Sequence, residues 1–251
     1  IMQWLESIGL YGKLSAEKFV PEQIFQLKKE QLAMFLNRMF SCDGTIHRIN
    51  KTNNWSVGLA SSSEKIARQV QHLLSRFGIN SKLRSKKIKL NEKIFNTFEL
   101  VLYGENVIKF IQEIGFFGEK EEKQIIAIEE MLNTIRNPNI DTIPKDVWNN
   151  FKPTNWTAMG RGLGYSSPKS MRSAVNYSPS REKLLKIAQF QQNKGIELLA
   201  QSDIFWDEII EVKELIGEVE VFDISIPHLH NFVANDIIVH NSYLLGIIAE
   251  E

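Results

Sequence analysis

The chain has 251 residues and a mass of 28.9 kDa, enough for one large or two ordinary domains. Its 43% hydrophobic content supports a packed core, and 30 basic residues balance 30 acidic ones. No apolar run reaches the roughly 18 to 20 residues of a membrane span, which excludes a membrane protein. The single cysteine, Cys42, excludes an internal disulfide and the common structural zinc patterns, so a reducing, cytoplasmic setting is expected. The opening residues Ile1-Met2-Gln3-Trp4 start inside an amphipathic pattern rather than a targeting segment, as if the chain began mid-protein.

Zero net charge conceals a partition. Residues 75–93 carry seven basic side chains against Glu92, and residues 142–187 carry eight against Asp146 and Glu182. Residues 200–251 carry eleven acids and one base, Lys213. Two basic middle segments could face phosphates, while the acidic end points to a separate task.

In chain order, the first feature is an internal repeat. Trp4-Leu-Glu-Ser-Ile-Gly-Leu-Tyr-Gly-Lys13 and Phe110-Ile-Gln-Glu-Ile-Gly-Phe-Phe-Gly-Glu119 each read as an apolar helix end closed by Ile-Gly-x-aromatic-Gly, with Ile8 and Ile114 separated by 106 residues. The pattern implies a pseudo-twofold protein, of which the chain holds the tail of one half and all of the next. Within that half, Leu32, Phe35, Leu36 and Met39 predict a helix over 29–40 that stops at a turn, Asp43-Gly44. Alternation over 45–59 predicts strand, and Ile66, Val70, Leu73 and Leu74 predict a helix over 63–77. Residues 81–89 and 95–103 read as a strand pair, and 106–114 and 121–136 as helix, broken at Asn137-Pro138. The expected order of the half is α-β-β-α-β-β-α. Beyond it, 137–202 mixes loops with short helices such as 181–191. The pattern then becomes short strands at 208–213, 220–226 and 232–239.

An acid at the C-terminal end of an apolar helix opposes the helix dipole, and a divalent cation beside Asp43 would relieve that conflict. The motif running from Phe35 to Asp43-Gly44, together with the Ile-Gly-x-x-Gly closures, resembles the LAGLIDADG homing endonucleases, in particular those embedded in inteins. The resemblance covers roughly residues 1–130. It implies that two such helices pack at a pseudo-twofold axis, each giving one acid to a Mg²⁺ site, here Asp43, and that double-stranded DNA lies across a β-sheet saddle. The basic strands fit that surface, with Arg84, Lys86, Lys87 and Lys89 as the expected DNA-binding residues. Asn37 and Arg38 stand where the family places small residues, and the first-half motif with its acid is absent. A relic that binds specific DNA without cutting is therefore the competing reading.

The C-terminal stretch carries a second chemistry. Asn241 can attack its own backbone carbonyl through its amide nitrogen, forming a succinimide and releasing the residues after it, while Ser242 offers a hydroxyl across the scissile bond. Both the nucleophile and the leaving nitrogen are poor, so proton donors and acceptors are required, and His240 and His230 are placed to serve. From about Asp203 to Ser242 the stretch resembles the C-terminal splicing blocks of inteins, close to those of the DnaB type. The resemblance implies that Asp223 and His230 assist the acyl shift, that His240 and Asn241 perform the cyclisation, and that Ser242 receives the N-terminal flank by transesterification. It implies an all-β splicing domain completed by an N-terminal intein fragment, with no cofactor for splicing.

The last ten residues resemble the helix after a Walker A lysine in HerA-type P-loop NTPases, which would be the host. An ordinary NTPase segment is untenable on ten residues. The expected fold class is α+β, an α-β-β-α-β-β-α endonuclease half plus the C-terminal part of an all-β intein splicing domain. The expected layout is 1–14, tail of the first endonuclease half; 15–136, second half; 137–202, basic DNA-recognition or linker region; 203–241, splicing segment; and 242–251, host flank.

Overall fold

The computed structural model describes residues 1–50, 54–90, 92–133, 141–151, 153, 155–214, 216–217, 220, 224 and 226–240. They fall into two compact units, Ile1–Thr134 with Val219–Glu251, and Ile135–Glu218.

The first unit begins with α1 (Met2–Ser7) and a short α2 (Glu22–Phe25), then α3 (Lys29–Asp43), β1 (Gly44–Arg48), β2 (Trp55–Ser61), α4 (Glu64–Ser75), β3 (Lys82–Leu90), β4 (Lys93–Tyr103), α5 (Glu105–Glu113) and α6 (Glu121–Leu132). From α3 to α5 the order is α-β-β-α-β-β-α. The strands form one antiparallel sheet in the order β1-β2-β4-β3. Period-two alternation sends Ile46, Val57, Leu59, Leu100 and Leu102 to one face, where the helices bury Leu32, Leu36, Phe40, Val70, Leu73, Leu74, Val107 and Phe110. Phe110 anchors the core, with ring centroids 4.7 Å from Phe40 and 5.2 Å from Phe116.

Helix α4 starts where Ser63, fully buried, caps it by accepting from the Ile66 N–H at 3.2 Å. The same hydroxyl donates to the Lys18 carbonyl at 2.6 Å, and Gln69 accepts from the Val20 N–H at 2.7 Å. Residues 18–20 are thereby tied to α4, with Val20 in the core.

The repeat seen in the sequence is also a repeat of backbone conformation. Gly9 and Gly12 both have φ of +72°, and Gly115 and Gly118 have +66° and +76°. Each closure thus needs two left-handed residues, which glycine adopts without a Cβ penalty.

The second unit is helical: α7 (Val147–Asn150), α8 (Trp156–Gly162), a 3₁₀ stretch at Pro168–Asn176, α9 (Arg181–Phe190) and α10 (Lys194–Gln201). Its own core gathers Ile143, Trp148, Phe151, Met159, Met171, Leu184 and Ile187. Arg181 holds its end together. Its guanidinium pairs with Asp141 at 2.7 Å and donates to the Ser202 carbonyl at 2.7 Å.

The C-terminal segment differs from expectation. Residues 208–213 form no strand, and Ile209, Ile210 and Val212 are 82%, 92% and 87% exposed. A strand exists only by pairing, and no partner meets this segment among the described residues. The expected strand at 232–239 is instead a hairpin, β5 (Asn231–Ala234) and β6 (Ile237–His240), turned at Asn235 and Asp236 with φ of 50° and 65°. Two consecutive positive φ values are the signature of a two-residue hairpin loop, which Asn and Asp tolerate.

Candidate functional site

Asp43 is the last residue of α3 and is exposed, and among the described residues no side chain pairs with it. No turn separates it from the sheet: Gly44 is both the helix cap and the first residue of β1. A Cβ on Gly44 would stand 2.6 Å from the Phe40 carbonyl oxygen, so only glycine lets the helix pass directly into the strand.

The end of α3 is braced by residues 115–124. The Lys120 ammonium donates to the Phe40 and Ser41 carbonyls at 3.1 and 2.6 Å, joining the Gly44 N–H at the first and matching the helix dipole. Ser41 donates to the Asn37 carbonyl at 2.6 Å and accepts from the Phe117 N–H at 2.7 Å. Asn37 itself turns inward, its side-chain amide donating to the Ile114 carbonyl at 2.9 Å. Arg38 donates to Asn37 at 2.7 Å and lies 4.1 Å over the Phe117 ring. The two residues that depart from the small-residue pattern thus stitch α3 to the closure after α5.

Opposite the core, the sheet presents a polar face. The register places Thr45 and His47 of β1, Ser56 of β2, Glu99 and Tyr103 of β4, and Lys82, Arg84 and Lys86 of β3 together on it. Ser56 and the His47 imidazole are 2.9 Å apart, Lys86 pairs with Glu99 at 2.6 Å, and Arg84 lies over the Tyr103 ring at 5.9 Å. The four basic residues expected to bind DNA therefore divide. Arg84 and Lys86 are on this face, whereas Lys87 and Lys89, also exposed, alternate to the other.

At the chain's other end, β5 and β6 pair Asn231 with His240. The His230 and His240 rings stand 6.3 Å apart and nearly parallel, with an interplanar angle of 27°. Positive φ at His228 (69°) and His230 (53°) brings the chain into the hairpin. Asp223, Asn241 and Ser242 lie outside the described residues, as does the 242–251 flank.

Residues 30–115 match the model of a known family, the LAGLIDADG-like domain. The chain is 36% identical over 254 residues to the replicative DNA helicase DnaB of Synechocystis sp. and 37% identical over 250 residues to that of Nostoc sp., in each case over 96% of its own length. It spans 28% of the length of either relative. It is also 28% identical over 224 residues to the replication factor C small subunit of Methanocaldococcus jannaschii, covering 86% of this chain and 11% of that protein.

The match to LAGLIDADG-like domains suggests DNA binding and an endonuclease type of enzyme, a class that generally uses divalent metals. An exposed carboxylate is the hard oxygen donor such a cation takes. Asp43 fits as one ligand, not a complete site: among the described residues, no three His, Cys, Asp or Glu side chains gather to hold a metal. Lys120 escapes the sequence reading because its role is tertiary, met by carbonyls some eighty positions away. The only local signal is its place just after the Ile-Gly-x-aromatic-Gly closure.

Proposed function

We propose that this chain is the C-terminal portion of an intein carrying the second half of a LAGLIDADG homing endonuclease, and that its host is a replicative helicase of the DnaB type. One observation carries the reading. A single stretch covers most of this chain, yet is a minor part of both a replicative helicase and a replication factor C subunit. A segment shared by differently named proteins is what a mobile insert leaves.

In this reading residues 1–14 end the first endonuclease half, 15–136 form the second, 137–202 are the basic region, 203–241 the splicing segment and 242–251 the host flank. The flank is then helicase sequence, in place of the HerA-type NTPase suggested by its ten residues. A divalent cation such as Mg²⁺ would supply charge neutralisation at a scissile phosphate, and Asp43 is the residue here that would hold it. The polar sheet face with Arg84 and Lys86 receives double-stranded DNA.

Splicing requires the N-terminal fragment that bears the upstream nucleophile. Asn241 cyclises through its side-chain nitrogen, His240 polarises the carbonyl or protonates the departing Ser242 nitrogen, and His230 acts from the facing ring across the hairpin mouth. Asp223 assists the acyl shift and Ser242 takes the N-terminal flank. Mixing the folded chain with an N-terminal splicing fragment should release a peptide beginning at Ser242, read by mass spectrometry, and Asn241→Ala should abolish it. Release that persists in that variant removes the assignment.

A second reading, DNA binding without cutting, is favoured by α3. Arg38, stacked on Phe117, occupies its flank where the family packs small residues. Supplying the first half separates the two readings. Mg²⁺-dependent cutting lost in Asp43→Asn with binding retained supports the endonuclease, and binding with no cutting supports the relic.

A further inference from the structure

We infer that the helical unit contains a phosphate-binding cleft, in which Lys183 and Lys186 of α9 hold one phosphate of a DNA backbone against the wall formed by the turn at 163–166 after α8. The proposal rests on the DNA-binding reading above and adds a second contact site to it.

The cleft measures about 390 Å³ and is lined by Leu163, Gly164, Tyr165, Ser166, Lys183 and Lys186. Its two cations are three residues apart on α9, so they project from the same side of the helix, while Leu184 and Ile187 turn into the core. The turn is held by its own backbone. The Leu163, Gly164 and Tyr165 N–H groups donate to the Met159, Arg161 and Gly160 carbonyls at 2.9, 3.0 and 2.9 Å, and Gly164 takes φ +76°. Those amides are committed to closing α8, so attraction for an anion has to come from the lysines. Lysine suits this as a point charge without the fixed fork of arginine, which is the chemistry of a backbone contact and carries no sequence readout.

The surroundings favour a polyanion over a small anion. Residues 142–187 hold eight basic side chains against two acids. Arg181 is consumed internally by Asp141 and the carbonyls after α10, while Arg161, Lys169 and Arg172 are exposed. Tyr165 lies 5.9 Å under the Lys183 ammonium and confines it to the cleft wall. Glu182 opposes the site: it pairs with Lys186 at 2.5 Å and raises that lysine's pKa above the ordinary 10.5. An arriving phosphate must compete with this exposed carboxylate for Lys186, which makes Glu182 a brake on binding.

The test is fluorescence anisotropy of a labelled duplex with the full chain across a series of KCl concentrations. Lys183→Gln with Lys186→Gln should weaken binding to unrelated duplexes alike and reduce the slope of log affinity against log salt by about 0.9, one phosphate contact. Glu182→Gln, which leaves both lysines in place, should raise affinity. A purely structural Glu182–Lys186 pair would instead give no gain in that variant. Unchanged affinity and slope in the lysine variant, while Arg84→Gln with Lys86→Gln still weakens binding, overturns the cleft and leaves the DNA-binding reading standing. No duplex binding by the unaltered chain at low salt overturns both.

Discussion

Trp4 and Phe110 occupy the same position in two copies of one motif, yet Trp4 is 62% exposed and Phe110 is fully buried. Their closures share the same pair of left-handed glycines, so the local structure is equivalent and only the body beneath differs. Phe110 rests on Phe40 of α3, whereas Trp4 belongs to no buried cluster among the described residues. On the function proposed above, an exposed tryptophan above a well-formed closure is where a first endonuclease half would pack.

This contrast sets the first prediction. Phe110→Ala should destabilise the first unit by about 3–5 kcal/mol, the range for emptying an aromatic site in a packed core. Trp4→Ala should fall within about 0.5 kcal/mol. Urea denaturation followed by circular dichroism compares them, and equal costs would show that Trp4 is packed in solution.

Gly44 carries the second. Its missing Cβ would press on the Phe40 carbonyl, a backbone atom that cannot swing away. Gly44→Ala should cost about 1–3 kcal/mol and shift Asp43, because helix and strand meet at that residue. An unaltered denaturation midpoint would mean the junction relaxes freely.

Much of this architecture is legible in the sequence because the controlling forces are local. Ile66, Val70, Leu73 and Leu74 recur at helical spacing, so α4 is visible, and alternation reveals β3 and β4. What escapes is set by partners distant in sequence. Asn37 reads as an intruder in a close-packed helix motif until its bond to the Ile114 carbonyl is seen. Lys87 and Lys89 group with Arg84 and Lys86 by charge, but alternation along β3 parts them. Asn235-Asp236 lies inside an apolar run and reads as strand, since the stronger hairpin signal places Gly second.

Lys120 supplies a third test. Lys120→Met keeps much of the aliphatic stem but removes the ammonium from both carbonyls, leaving Phe40 with the Gly44 N–H alone. A loss of about 1–3 kcal/mol is expected, with Lys120→Arg recovering part of it. Faster amide exchange confined to the last turn of α3 would locate the effect there, whereas uniform exchange rates would exclude a capping role.

The division of β3 into two faces makes a fourth. If DNA lies on the polar sheet face, Arg84→Gln with Lys86→Gln should lower the salt slope of binding by up to about 1.8, two phosphate contacts. Lys87→Gln with Lys89→Gln should change it less. Anisotropy titrations at several salt concentrations read both, and the reverse ranking would place the duplex on the other side of the strand.

The last prediction concerns the hairpin that ends beside Asn241. Each strand is four residues long, the pair forms a sheet of its own, and Val233, Ile237 and Ile238 are 66%, 64% and 53% exposed. A two-stranded hairpin is marginal in water, because it buries too little apolar area to offset the ordering of its backbone. The turn is anchored by the 2.5 Å contact between Asp236 and His72 on α4, both about 40% exposed, and an exposed pair of this kind contributes at most about 1 kcal/mol. Amide protons of β5 and β6 should therefore exchange almost as fast as unstructured chain when the protein is alone. Adding an N-terminal splicing fragment should slow them by orders of magnitude as new strands cover the apolar side chains and pair the edges. Mass-spectrometric hydrogen exchange on the peptide spanning residues 231–240 measures this directly. Strong protection before the fragment is added, or no change after it, would mean that these strands do not wait for a partner.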